Sequence, residues 1–204
     1  MSRLAAALLA ALLLLALAAP AAATDWGIFV DGSYSDTRDD TEMDRLIDRR
    51  LAEADRIMGG RHPGSERTTV DEKAELRDAL ARIQCRCGDT ITVVLMGHGT
   101  EDRFVFSKAP RAERRLEASD LAAWLEGAAK ECCCKIRVVI FSCHSGSFLD
   151  ELLAQPHVDS VWASSAADER SYSEAAYELD GTFRDGGDWM QGFLEDWRDA
   201  PRGD

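Results

Sequence analysis

Two runs of consecutive apolar residues constrain the fold more than anything else in this chain. They are Ile91-Thr92-Val93-Val94-Leu95-Met96 and Ile136-Arg137-Val138-Val139-Ile140-Phe141. Both are rich in β-branched residues and nearly continuous rather than alternating, which is the pattern of a strand buried on both faces. Such strands belong to a parallel sheet, and parallel neighbours need crossover connections that are usually helices. The intervening segments supply them. Met43, Leu46, Ile47, Leu51, Ala54 and Ile57 keep a helical face, as do Leu76, Ala79, Leu80 and Ile83, then Leu121, Trp124, Leu125 and Ala128, and finally Trp189, Met190, Phe193, Leu194 and Trp197. Trp26–Val30 and Val158–Ala163 read as further strands. The expected class is α/β: a three-layer sandwich with a mainly parallel sheet and helices on both faces.

The two central runs end alike. One passes into Gly97-His98-Gly99, the other into Ser142-Cys143-His144-Ser145-Gly146-Ser147. In open α/β sheets the carboxyl ends of the strands are where ligands bind. Taken singly, each residue has a bland reading: a small buried cysteine is inert core, and a lone histidine is more often structural than a base. Apolar residues return at helical spacing after Cys143, and a helix start just behind a thiol favours its thiolate. If the strands are neighbours, a candidate nucleophile and a candidate base stand side by side, the pairing that cysteine nucleophiles use. The N–H groups of Gly99 and Cys143 are then candidates for an oxyanion hole.

These blocks resemble those of the caspase-like cysteine peptidases: legumains, caspases, metacaspases and their bacterial relatives. Cys143-His144-Ser145-Gly146-Ser147 is most similar to the metacaspase nucleophile block. Ala163-Ser164-Ser165-Ala166-Ala167, Glu169-Arg170-Ser171-Tyr172 and Gly187-Asp188-Trp189 are similar to legumain segments. Gly32-Ser33 and Arg38 fall where legumain has Gly-Ser and a pocket arginine. The resemblance runs from about Trp26 to Trp197. It implies a caspase-like fold and a cysteine endopeptidase with Cys143 as nucleophile and His98 as acid/base, with no cofactor and no resident metal.

By the same resemblance the pocket for the residue before the cut draws on Arg38, Ser164, Ser165 and Asp188. An arginine donates and an aspartate accepts, so a side-chain amide satisfies both. The expected preference is Asn, then Asp, over Lys or Arg. Three positions depart from the family patterns, and one is Gly97, where legumain has an aspartate just before its catalytic histidine. His144 stands where legumain has an acid, and Phe141 stands where metacaspases have the aspartate that binds basic side chains. Metacaspase-type Arg/Lys specificity and a catalytically silent binding module are the alternatives.

The chain has 204 residues, enough for one domain with a sizeable core. It begins with Arg3, a long Ala/Leu run and Ala21-Ala22-Ala23, the form of a secretory signal peptide cut after Ala23. The expected division is a signal peptide over 1–23 and a peptidase domain over 24–200. The destination is a secreted, periplasmic or otherwise exported compartment. The formal net charge of −13 argues against nucleic acid or an anionic membrane surface as partner. The expected partner is a peptide or protein substrate, with the mature chain off the membrane and a monomer or weak dimer.

Exported chains use cysteine for disulfides. Beside Cys143 there are Cys85, Cys87, Cys132, Cys133 and Cys134, an odd set that precedes the two central strands. Parallel neighbours would bring both cysteine groups to the sheet edge opposite the active site, so one or two bridges between the groups are expected. A redox role for Cys85-x-Cys87 or a zinc site from these residues is the weaker reading. The acids from Asp31 to Asp44 fit no EF-hand spacing. Locally, Gly59-Gly60 is expected to end the first helix, Arg61–Thr68 to be a polar loop, Thr69-x-x-Glu72 to form a capping box, and Ser119 to cap a later helix.

Overall fold

In the computed structural model, which describes residues 23–33, 41–106, 113–129, 134–171 and 189–201, strands and helices alternate along the chain. The order is β1 (Asp25–Gly32), α1 (Thr41–Arg61), β2 (Glu66–Val70), α2 (Lys73–Arg82), β3 (Thr90–Thr100), β4 (Arg103–Val105), β5 (Arg115–Glu117) and α3 (Ala118–Ala129). Then come β6 (Lys135–Phe141), a 3-10 turn (Ser145–Phe148), α4 (Leu149–Leu153), β7 (Val158–Ala163) and α5 (Trp189–Asp199). Five strands pair in parallel in the order β2-β1-β3-β6-β7, and β4 and β5 extend antiparallel from the end of β3. Among the described residues no helix is long and apolar enough to cross a membrane.

The two-residue period of a strand sorts the core into two layers. Ile28 and Val30 of β1, Val93 and Leu95 of β3, and Val138 and Ile140 of β6 turn to one side. There they pack with Leu76 and Leu80 of α2 and Leu121 and Leu125 of α3. Their sequence neighbours Phe29, Val94, Met96, Val139 and Phe141 turn to the other, against Ile47, Leu51, Ala54 and Met58 of α1 and Met190 and Leu194 of α5. Each of these side chains is buried, and for the Val, Leu, Ile, Phe and Met among them burial contributes roughly 1.5–3 kcal/mol each relative to full exposure. The fold is therefore the expected α/β arrangement, with helices on both faces of a mostly parallel sheet.

Several local expectations are corrected. Helix α1 runs through Gly59-Gly60 to Arg61, and His62 still donates to Met58 O at 2.8 Å. Pro63, which has no N–H to donate, comes directly after. Part of the expected loop is β2, an edge strand exposed from Glu66 to Thr69 and, among the described residues, paired only with β1. With no buried face, it carries no apolar alternation. Thr69 is used by that strand, and α2 starts with Glu72 at its N-cap without a side-chain capping bond. Helix α3 starts at Ala118, whose N–H donates to Asp102 O at 2.9 Å, so Ser119 lies inside the first turn.

Candidate active site

The register between β3 and β6 decides where the candidate residues meet. Thr90 stands opposite Lys135 and Met96 opposite Phe141 without slippage. Two residues beyond that last pair come His98 on one chain segment and Cys143 on the other, and both are half-buried. Neighbouring strands lie about 4.8 Å apart. The site therefore sits at the carboxyl edge of the central strand pair.

His98 does not terminate its strand. At Gly97 β3 is still paired with Gly32 of β1, and from His98 to Thr100 it is paired antiparallel with β4. Glycine permits this change. A β-carbon on Gly97 would fall 2.6 Å from the α-carbon of Gly32, and one on Gly32 would fall 2.6 Å from Phe104 Cζ. Such approaches exclude any side chain. Gly99 is equally constrained: its β-carbon would collide with the carbonyl oxygen of Cys143 and come 2.7 Å from Ser142 Oγ. The backbones of the histidine and cysteine segments are in contact at this point.

The turn that carries Cys143 is built on His144, which adopts φ 57° and ψ 22° in the left-handed region. The apolar spacing after Cys143 suggests a helix; the chain forms a 3-10 turn and then the five-residue α4. The segment after β7 wraps the turn. His144 donates its backbone N–H to Glu169 O at 2.7 Å, and its ring Nδ1 lies 3.0 Å from Ala167 O. A carbonyl only accepts, so that nitrogen carries the proton in this contact. The thiol of Cys143 reaches Ser171 O at 3.7 Å.

A serine cluster completes the wrapping. Ser145 donates its N–H to Ser165 Oγ at 3.1 Å, and Ser165 returns its N–H to Ser145 Oγ at 3.0 Å. Ser165 Oγ also lies 3.1 Å from Ser142 O, and Ser164 Oγ lies 3.3 Å from the same carbonyl and 2.8 Å from Ser171 Oγ. Gly146 lets this segment close in, since a β-carbon there would stand 2.8 Å from both Ala167 N and Ser165 O. Ser164 and Ser165, expected in the substrate pocket, thus spend their hydroxyls on holding the turn that carries Cys143. Sequence patterns alone assign no role to the hydroxyls of Ser142, Ser145, Ser147 and Ser171, although the alternation of Ser with Cys143, His144 and Gly146 is visible there. Arg38, Asp188, Cys132 and Cys133 lie outside the described residues.

At the opposite, amino-terminal edge of the same strands, Cys85 and Cys134 form a disulfide with their α-carbons 6.3 Å apart. They precede β3 and β6 respectively, so the bridge closes the strand pair at the end away from Cys143. A cavity of about 850 Å³ is also remote from the candidate residues. It lies beside α5, walled by Trp162, Trp189, Phe193 and Trp197 with Arg137 and Asp159. The thiol and the imidazole sit elsewhere, so this cavity is not the active site. The arrangement at the carboxyl edge brings together a thiol, an imidazole and small-residue backbone, which is the equipment for acyl transfer.

The Peptidase C13 family, the legumain family, matches this chain over residues 70–201. That span contains both strand-end blocks and the segment that wraps the Cys143 turn. No curated protein matches the chain significantly.

Proposed function

The chain belongs to the peptidase C13 family of cysteine peptidases, and from that premise we propose that it is an exported endopeptidase working through Cys143 and His98. The observation that carries the reading is the unbroken β3–β6 register, in which Met96 opposite Phe141 precedes His98 and Cys143 by two residues. The thiolate of Cys143 attacks the scissile carbonyl carbon. A C–S bond forms and the carbonyl oxygen becomes an oxyanion, accepting hydrogen bonds from the N–H groups of Gly99 and Cys143. His98 donates a proton to the leaving amine as the C–N bond breaks. Water then attacks the thioester carbon, His98 takes its proton, and the C–S bond breaks, releasing the carboxylic product and regenerating the Cys143 thiolate beside protonated His98.

The residue before the cut is Asn in preference to Asp, and either in preference to Lys or Arg. Support comes from the legumain-like positions of Arg38 and Asp188, one donating and one accepting to a side-chain amide. His144 in place of an acid weakens the preference by removing one acceptor. The 1–23 segment directs export and is removed, and the mature chain acts on peptides or proteins as a monomer or weak dimer without a cofactor.

The test is cleavage of peptides that differ only as Asn, Asp, Arg or Lys before the scissile bond, with Arg38→Ala run in parallel. Cleavage ordered Asn, Asp, then the basic residues, and lost with Arg38→Ala, is the expected result. A clear preference for Arg would overturn the specificity. Absence of cleavage of any peptide by folded protein would overturn the activity.

A further inference from the structure

Among the described residues, two that are not glycine have positive φ: Asp102 at 58° and His144 at 57°. Asp102 lies in the turn of the β3–β4 hairpin, four residues after His98. His144 directly follows Cys143. Non-glycine residues persist in this region when their surroundings over-determine them, and such positions gather at functional sites. The same hydroxyl touches both. Ser147 Oγ accepts the backbone N–H of Asp102 at 2.7 Å and donates to the carbonyl oxygen of His144 at 2.7 Å. The backbone N–H of Ser147 also donates to His144 O, at 3.0 Å.

We propose that Ser147 is a positioning residue that fixes the His98 hairpin against the Cys143 turn. The inference rests on the cysteine peptidase reading of the site. One proton and one lone pair of a single hydroxyl are both committed, so the relative position of the two turns is set by two short bonds. The hydroxyl is well placed for this. Ser147 is buried, in a 3-10 turn whose next residue, Phe148, is fully buried in the core. The tie is also independent of the sheet register, which ends at Phe141, before either candidate residue. Beyond that point, the Gly99–Cys143 backbone contact and the Ser147 hydroxyl span from one segment to the other. Ser147 does not itself touch the reacting atoms. Its loss should misplace His98 relative to Cys143 and slow attack while leaving substrate binding alone.

The experiment compares wild type, Ser147→Ala, Ser147→Thr and His98→Ala. It measures kcat and KM on a cleavable peptide, the rate of Cys143 alkylation by iodoacetamide at neutral pH, and the thermal midpoint. Ser147→Ala should lose about ten- to a hundredfold in kcat, the scale of small misplacements in an active site, with KM within about twofold. Its alkylation rate should fall toward that of His98→Ala, and threonine, which keeps the hydroxyl, should restore both. All rates are taken well below the lowest midpoint, so loss of folded protein is not mistaken for loss of positioning. The alkylation arm needs no substrate. A wild type that cleaves nothing sinks the peptidase reading, while alkylation still decides the role of Ser147. Wild-type alkylation and turnover in Ser147→Ala would overturn the proposal. So would a threonine variant no better than alanine although folded.

Discussion

A β-carbon on Gly99 would collide with the carbonyl oxygen of Cys143, leaving no room for a side chain between the two candidate catalytic segments. Gly99→Ala should therefore push them apart. Overpacking of this kind destabilises by about 1–3 kcal/mol, and the displaced segment carries His98. Turnover should drop by more than the stability loss explains. Denaturant midpoints and kcat/KM on the same preparations check this; an alanine variant with wild-type kcat/KM would contradict the contact.

Removing either half of the proposed dyad should abolish turnover without unfolding the chain. Both side chains are half-buried at the sheet edge rather than in either core layer. Cys143→Ala and His98→Ala are each expected to lower kcat by about a thousandfold or more, as for groups that act as one unit. Thermal midpoints should stay close to wild type. Substantial residual activity in either variant would remove that residue from the mechanism.

The Cys85–Cys134 bridge joins residues 49 apart in sequence at the edge opposite the active site. Bridges of this kind typically stabilise by roughly 2–4 kcal/mol. Cys85→Ser should lower stability by that order while leaving KM unchanged, because the bridge is remote from substrate. Non-reducing peptide mapping should recover the Cys85–Cys134 link. Finding Cys85 joined to another cysteine would refute it.

Asp89 is a buried carboxylate that accepts Thr24 N–H at 2.7 Å and Arg86 N–H at 2.9 Å. If the leader is cut after Ala23, Thr24 N becomes an α-ammonium on that carboxylate. Hydrogen bonds to charged partners contribute about 1.5–3 kcal/mol. A chain beginning at Thr24 should melt higher than one that keeps Ala23, and Asp89→Asn should erase the difference. Equal midpoints for the two starts in the Asp89 protein would show that the new terminus is not held there.

Much of the fold was legible because burial on both faces leaves a local mark. The continuous, β-branched runs at Ile91–Met96 and Ile136–Phe141 read as strands hidden between helix layers, and the helical faces of Leu76/Leu80 and Leu121/Leu125 say what hides them. Elements without a buried face left no such mark. Strand β2 is exposed for four of its five residues and so looks like a polar loop. The capping signals at Thr69 and Ser119 were overridden because sheet pairing and the Asp102–Ala118 bond claimed those backbones first.

What the sequence determined by itself is the class of fold and the two strand-end blocks, since each is written in residues close together along the chain. What only the tertiary structure decided is how those blocks are held. Ser164 and Ser165 turn toward Ser142 and Ser145, Gly99 lies on Cys143, and Ser147 spans from Asp102 to His144. A serine hydroxyl has no periodicity and little preference for one environment, so nothing in its neighbours announces its partner. Its role depends on which distant donor or acceptor the folded backbone brings within about 3 Å.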